Sequence, residues 1–259
     1  MLPYDSRMTP KISIVIPTKN EESYLPLLLT SIRNQQGVEY EIIIADALST
    51  DETRRIAESY GARVVDGGMP GPGRNRGAEV ATGEYILFLD SDVVLPSPTT
   101  LKEMLSEFDE RKLDVASCMV KPISTKMIDI ALHDAYNQYA ILTEQVLPHI
   151  QGPCMLVRRS THLAIHGFDE EVVMAEDHEY GRRAAKNGFA VGYLRTSSIL
   201  LSVRRLDKEG RVGLLLKYFL FEFLMVVNGP IKGDLPVAYE FAAWEKDAKK
   251  NKKKKSSTS

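Results

Sequence analysis

Between Ile12 and Leu89, strand-sized apolar runs alternate with helix-sized amphipathic ones, and few folds accept that order. Ile12-Ser13-Ile14-Val15-Ile16, rich in β-branched side chains and closed by Pro17, suits a buried strand. Leu25, Leu28, Leu29 and Ile32 then recur at helical spacing behind Ser23, a residue type that caps helices, and this helix is expected to end near Gly37. The pattern repeats. Glu41-Ile42-Ile43-Ile44-Ala45 predicts a second strand, residues 50–60 a helix stopped by Gly61, and Ala62-Arg63-Val64-Val65 a third strand. Gly67, Gly68, Gly71 and Gly73, with Pro70 and Pro72, predict an irregular loop before a helix from Arg74 to Ala81 and a strand from Glu84 to Leu89. Parallel strands cannot be joined by tight turns, so this order demands a mainly parallel α/β sheet with crossover helices.

Ligands of such sheets bind beyond the carboxyl ends of the strands. Three polar segments fall there: Pro17-Thr18-Lys19-Asn20-Glu21, Asp46, and Asp90-Ser91-Asp92. Two carboxylates delivered together repel unless a cation lies between them, so the Asp-x-Asp triplet suggests a divalent metal and a phosphate-bearing substrate. A plainer account also fits, because aspartate after a strand serves local turn hydrogen bonds.

The remainder predicts a helix from Leu101 to Lys112, a strand from Val115 to Val120, and a helix from Met127 to Leu147. Gly152 to Arg159 suits a loop entering a strand, and Ala175-Glu176-Asp177 opens a helix running to Asn187-Gly188. Val212 to Val227 is apolar apart from Gly213, Lys217 and Glu222, yet falls short of the roughly 20 residues that cross a bilayer. It suits either a buried helix or one lying in a membrane interface, the latter helped by Arg204, Arg205, Arg211 and the terminal lysines.

With 259 residues, 44% of them hydrophobic, the chain can bury the core of one large α/β domain. Its net charge of -2 hides a basic tail, Lys249, Lys250 and Lys252 to Lys255, which lacks apolar residues to pack and is expected to be disordered. Cys118 and Cys154 have no Cys-x-x-Cys spacing, so neither a disulfide framework nor a zinc site is suggested. Met1 to Lys11 holds no stretch of signal-peptide length, so a reducing cytosol is the expected location, and no nucleic-acid partner is expected.

Taken in order, Ser13 to Glu21, Asp46 to Thr53, Gly73-Arg74-Asn75-Arg76-Gly77, Gly83 to Asp92, Gly152 to Arg159, Gly167-Phe168-Asp169-Glu170 and Glu176-Asp177 resemble the motifs of a family 2 glycosyltransferase, over roughly residues 11 to 195. The resemblance implies a GT-A fold, Rossmann-like, with a mixed, mainly parallel sheet flanked by helices and a C-terminal helical extension. It implies an arm at 1–10, a catalytic domain at 11–205, an extension at 206–245 that could associate with a membrane, and the tail at 246–259. Within the catalytic domain, 11–98 would bind the nucleotide sugar and 99–205 the acceptor. The implied reaction moves a sugar from a UDP- or GDP-sugar to an acceptor hydroxyl or phosphate, with inversion. Mg2+ or Mn2+ would sit on Asp92, aided by Asp90.

The resemblance further implies that Pro17, Thr18, Asn20, Glu21, Asp46, Arg74, Asn75, Asp90 and Ser91 contact the donor, and that Gly152, Pro153 and Cys154 border the acceptor. Asp177 matches the catalytic base, with Glu176 as understudy, although an acidic residue there also suits a helix start. Ala47 stands where many relatives carry a second acid that contacts a uracil edge, which leaves UDP and GDP both open. The acceptor side shows no readable motif; a lipid-linked acceptor at the cytoplasmic face of a membrane is the reading that Val212 to Val227 favours. Nucleotidyl transfer onto a sugar phosphate, or nucleotide-sugar binding without catalysis, are the alternatives. The first would call for a glycine-rich basic loop after the first strand, where Pro17 to Glu21 stands instead.

Overall fold

The computed structural model describes residues 11–148 and 150–211, and beyond them residues 213, 214, 216, 217, 220, 227 and 229–232. The expected arm at 1–10, the tail at 246–259 and most of the extension at 206–245, including much of Val212 to Val227, lie outside the described residues. The first half runs β1 (Ile12–Thr18), α1 (Leu25–Arg33), β2 (Tyr40–Asp46), α2 (Thr53–Ser59), β3 (Arg63–Asp66), α3 (Pro70–Glu79), β4 (Tyr85–Leu89), β5 (Val93–Val94) and α4 (Thr100–Glu110). Then come β6 (Val115–Ile123), α5 (Met127–Thr143), β7 (Cys154–Arg158), α6 (Arg159–Ala164), β8 (Val172–Met174), α7 (Glu176–Lys186), β9 (Val191–Ser202), α8 (Arg204–Glu209) and β10 (Ile231–Lys232).

The strands read as continuous apolar runs because both faces of the sheet are covered. Ile12, Ile14 and Ile16 of β1 and Tyr85, Leu87 and Leu89 of β4 join one core with Leu25, Leu28, Leu29 and Ile32 of α1 and with Leu101, Met104, Leu105 and Phe108 of α4. The intervening Val15, Ile86 and Phe88 turn to a second core holding Ala78 of α3 and Tyr180 and Ala184 of α7. Each fully buried leucine or isoleucine in these layers contributes about 1.5–3 kcal/mol, as an upper estimate.

The eight-stranded sheet has the order β3-β2-β1-β4-β7-β6-β9-β5. β1 is parallel to β2 and β4, β2 to β3, and β6 to β9, whereas β7 lies antiparallel between β4 and β6. That reversal places the start of β7 beside the end of β4: Leu89 faces Cys154, and the Asp90 N–H donates to the Pro153 carbonyl at 3.2 Å. Farther along, β9 slips its register on β6 between Cys118 and Met119 and carries its last residues to β5, where Val93 faces Leu201 and Val94 faces Leu200. Residues far apart in sequence therefore reach one edge.

Three local expectations are corrected. Ser23 does not cap α1; Tyr24 holds that position without a side-chain cap bond, Pro26 supplies a pre-set φ in the first turn, and the helix stops at Arg33 rather than near Gly37. The glycine-proline segment is not all loop, since α3 begins at Pro70. Its glycines serve close packing: a Cβ on Gly77 would lie 2.2 Å from Val15 Cγ1, so only glycine lets this helix rest on β1.

One buried titratable group of α6 faces the second core. His162 is 5% exposed, its Nδ1 lies 3.0 Å from the Tyr180 hydroxyl, and burial, with Arg183 adding to it, pushes its pKa down to about 4. The unfolded chain binds the extra proton first, so this residue removes stability as pH falls from the ordinary histidine range to about 4. The expected loss is about 3 kcal/mol. Urea unfolding at both ends of that window should show a smaller pH dependence in His162→Phe than in the native chain; equal slopes would refute the assignment.

Candidate functional site

The acidic triplet follows β4 directly, and Ser91 is buried between its neighbours. The side chain of Asp90 is 36% exposed and that of Asp92 is 11% exposed. Burial, opposed by Arg204 and assisted by Asp90 and Glu21, pushes the Asp92 carboxyl up to about 6. Such a group gains from any cation that reaches it.

Arg74 ties this triplet to the distant acidic pair. It projects from α3, is 2% exposed, and donates from Nη2 to Asp90 Oδ1 at 3.0 Å and from Nη1 to Glu176 Oε1 at 2.7 Å. Nη2 also reaches the Gly152 carbonyl at 3.2 Å, and the guanidinium lies 5.5 Å from the Phe168 ring centroid. Burial works against its charge, but Asp90, Glu176 and Asp177 outweigh it and raise its pKa. The neighbouring Asn75 does something different: its Nδ2 donates to the Phe168 carbonyl at 2.9 Å and its Oδ1 accepts the Phe168 N–H at 2.8 Å, which anchors the Gly167-Phe168 turn.

Asp177 is not a helix cap. Ala175 occupies the N-cap of α7 in a left-handed conformation with φ 55°. That places Asp177 in the first turn with its Oδ2 accepting the Gly152 N–H at 2.6 Å and its Oδ1 accepting the His178 N–H at 2.9 Å. A Cβ at position 152 would come within 3.1 Å of both Asp177 Oδ2 and Arg74 Nη2, so the glycine is needed for the peptide to sit between them. Glu176 is committed to Arg74, whereas both Asp177 oxygens accept backbone N–H groups. Of the loop ahead of β7, Gly152 and Pro153 border this crevice; Cys154 is 2% exposed in the first core and packs there instead.

The loop after β1 is built from mutual hydrogen bonds with the loop after β2. Asn20, held at φ 54°, accepts the Thr50 N–H at 2.8 Å and donates its own N–H to Ser49 Oγ at 2.8 Å. Asp46 is fully buried and accepts from Thr18 Oγ1 at 3.1 Å, Ser49 N at 2.9 Å and Arg54 Nη1 at 3.3 Å. It therefore shapes the wall of the crevice from behind. Pro17 contacts the start of α3, with a Cβ on Gly73 falling 3.3 Å from its own Cβ.

One residue at this edge escaped the sequence analysis as a site residue. Arg204, just past β9, donates from Nη1 and Nη2 to the two Glu21 oxygens at 2.7 and 3.0 Å and pairs through Nε with Asp92 Oδ2 at 2.8 Å. Its guanidinium also lies 4.4 Å from the Tyr24 ring centroid. The pairing of β5 with β9 brings it there, and a two-residue strand leaves no readable pattern. The same groove, about 240 Å³, is lined by Tyr24, Leu27, Asp92, Arg204 and Asp207 among others.

Among the described residues no group of three or more His, Cys, Asp or Glu side chains converges as a metal cage. Two neighbouring carboxylates, one of them destabilised by burial, instead fit a Mg2+ or Mn2+ ion that brings most of its oxygens from water and a diphosphate. No described helix is long and apolar enough to cross a membrane.

The glycosyl transferase family 2 model matches residues 13–164, more than half of the chain. A poly(ribitol-phosphate) beta-N-acetylglucosaminyltransferase, TarS of Staphylococcus aureus, is 28% identical over 207 residues, which cover 75% of this chain and 36% of that protein. A poly(ribitol-phosphate) beta-glucosyltransferase of Bacillus spizizenii is 32% identical over 161 residues, 58% of this chain and 25% of that protein. The chain thus spans only about a third or less of these relatives' length. Among solved structures, S. aureus TarS 1-349 with UDP-GlcNAc aligns with TM-score 0.63 and 26% identity over 75% of this chain and 59% of that one. The mannosyltransferase PcManGT from Pyrobaculum calidifontis, in complex with GDP-Man and Mn2+, aligns with TM-score 0.68 and 17% identity over 88% of this chain and 67% of that one, which supports the GT-A fold.

Proposed function

The chain belongs to glycosyl transferase family 2, and on that footing we propose that it moves a sugar from a UDP-sugar to an acceptor hydroxyl with inversion at the anomeric carbon. The observation that carries the reading is the Arg74 bridge, which sets the Asp-x-Asp triplet and the Glu176-Asp177 pair on one crevice at the carboxyl ends of β1, β2 and β4. That arrangement supports a reading with the donor on the Asp90 side of Arg74 and the base on the Glu176 side.

In this reading Pro17, Thr18, Asn20 and Glu21 with Asp46 behind them form the nucleotide wall, and Asp92 with Asp90 holds a divalent cation. That cation, when bound, supplies positive charge where the diphosphate leaving group develops its own. Asp177, its orientation fixed by the Gly152 N–H, accepts the proton of the acceptor hydroxyl as that oxygen bonds to the anomeric carbon and the bond to the diphosphate breaks. Arg74 keeps Glu176 and Asp90 from repelling one another across the crevice.

The likeness to TarS with UDP-GlcNAc favours a UDP-sugar over a GDP-sugar, despite Ala47, and the poly(ribitol-phosphate) relatives make a polyol-phosphate hydroxyl the acceptor class to try first. A lipid-linked acceptor with peripheral membrane contact through 212–227 and the lysine tail is the second class. A thermal-shift panel of UDP- and GDP-sugars with and without Mn2+ tests the donor. A UDP-sugar at about 100 times its Kd should add about 2.7 kcal/mol of stability, and only with metal present. Asp92→Ala should abolish that metal-dependent gain; stabilisation that survives the substitution undiminished would remove Asp92 from the metal.

A further inference from the structure

Arg204 touches Asp92 through one nitrogen and Glu21 through two, and this division of contacts is informative. The Nη1 and Nη2 fork fills both oxygens of Glu21 at 2.7 and 3.0 Å, while only Nε lies on Asp92, at 2.8 Å. The Tyr24 ring at 4.4 Å packs against the same guanidinium. Breaking the single contact to Asp92 therefore leaves the arginine held by Glu21 and Tyr24. A side chain so mounted can leave one carboxylate without being lost from the site.

Asp92 needs a positive neighbour because its carboxylate is largely withdrawn from water. A guanidinium and a divalent cation would each satisfy that need, and two positive groups crowded on one carboxylate repel each other. The other groups facing Asp92 are acidic: Asp90 and Glu21 both add negative charge around it. Among the described residues, Arg204 is the cation in direct contact with Asp92.

We infer that Arg204 is a positioning residue that stands in for the divalent cation at Asp92, holding the carboxylate in place and competing with the metal for it. This rests on the assignment of Asp92 to the metal. The contact sets a threshold: metal alone must displace Nε, whereas metal arriving with a diphosphate brings additional ligands of its own to offset the displacement. The donor-free protein consequently binds metal weakly, and donor and metal load together.

Mn2+ titration of the full chain without nucleotide, followed by electron paramagnetic resonance of the free ion, tests this. Arg204→Ala should bind Mn2+ at least about tenfold more tightly than the native chain, equivalent to about 1.4 kcal/mol. The difference should persist in about 0.5 M KCl, where a charge acting only through solvent is screened within a few ångströms. Unchanged or weaker Mn2+ binding in Arg204→Ala, alongside loss of binding in Asp92→Asn, overturns the inference and leaves the metal assignment standing. A gain confined to low salt overturns it too, since Arg204 would then be a background charge. If Asp92→Asn binds Mn2+ as the native chain does, the inference falls together with the metal assignment. Should Arg204→Ala fail to fold, Arg204→Gln, which keeps a planar hydrogen-bonding head group but not the charge, carries the same expectation.

Discussion

Asp177→Asn is expected to lower turnover by about 10²–10⁴-fold while leaving donor binding intact. The amide oxygen can still accept the Gly152 N–H that Oδ2 accepts at 2.6 Å, so the loop ahead of β7 keeps its position. What disappears is the proton acceptor. Glu176 cannot take its place, because Oε1 is held by Arg74 Nη1 at 2.7 Å and moving it would leave the buried guanidinium short of a partner. Steady-state kinetics with the donor identified by thermal shift would measure the effect. Turnover near that of the native chain in the variant would show that the base lies elsewhere.

The second large effect is on stability. Arg74→Met keeps much of the side-chain volume but strips Glu176 and Asp90 of their shared cation and the Gly152 carbonyl of a donor. Removing one partner from a buried ion pair costs about 3–5 kcal/mol. Most of this should come from Glu176, whose side chain is 15% exposed, rather than from Asp90, which water can reach. Urea unfolding would show it as a lower midpoint with unchanged slope. Adding Glu176→Gln to the variant should recover part of the loss, since the two groups share one interaction. A single-variant cost under about 1 kcal/mol would mean that water or a rearranged side chain replaces the bridge.

The alternation of strands and helices was legible because both faces of the sheet are covered: β1 and β4 carry apolar residues to two cores at once, and α1 and α4 show their buried stripes at helical spacing. Asp90, Asp92, Glu176 and Asp177 were legible as motifs, and the structure brings one member of each pair, Asp90 and Glu176, onto Arg74. Other features depend on pairing at long range. Asp46 was legible as a polar residue at the strand end, but its burial behind Thr18, Ser49 and Arg54 was not. Gly71 and Gly73 suggested a loop by composition, yet they lie in α3, which rests on β1 through Gly77 against Val15, a residue far earlier in the chain. Arg204 lies more than a hundred residues from Asp92 in sequence, and only the joining of β5 to the end of β9 makes them neighbours.

The reversed strand β7 has a consequence for how such a chain can diversify. Because Asp90 is bonded through its own backbone to Pro153, the crevice is welded together by the sheet itself and not by the excursion from Ser124 to Ile150 that precedes it. That excursion leaves the sheet after β6 and re-enters at β7, and its described residues contribute no strand. A change within that connection would leave the Asp90–Pro153 seam itself intact. The Asp90–Pro153 seam is thus set by strand pairing alone, while the connection between β6 and β7 is fastened separately, by Asn137 to the Val120 backbone.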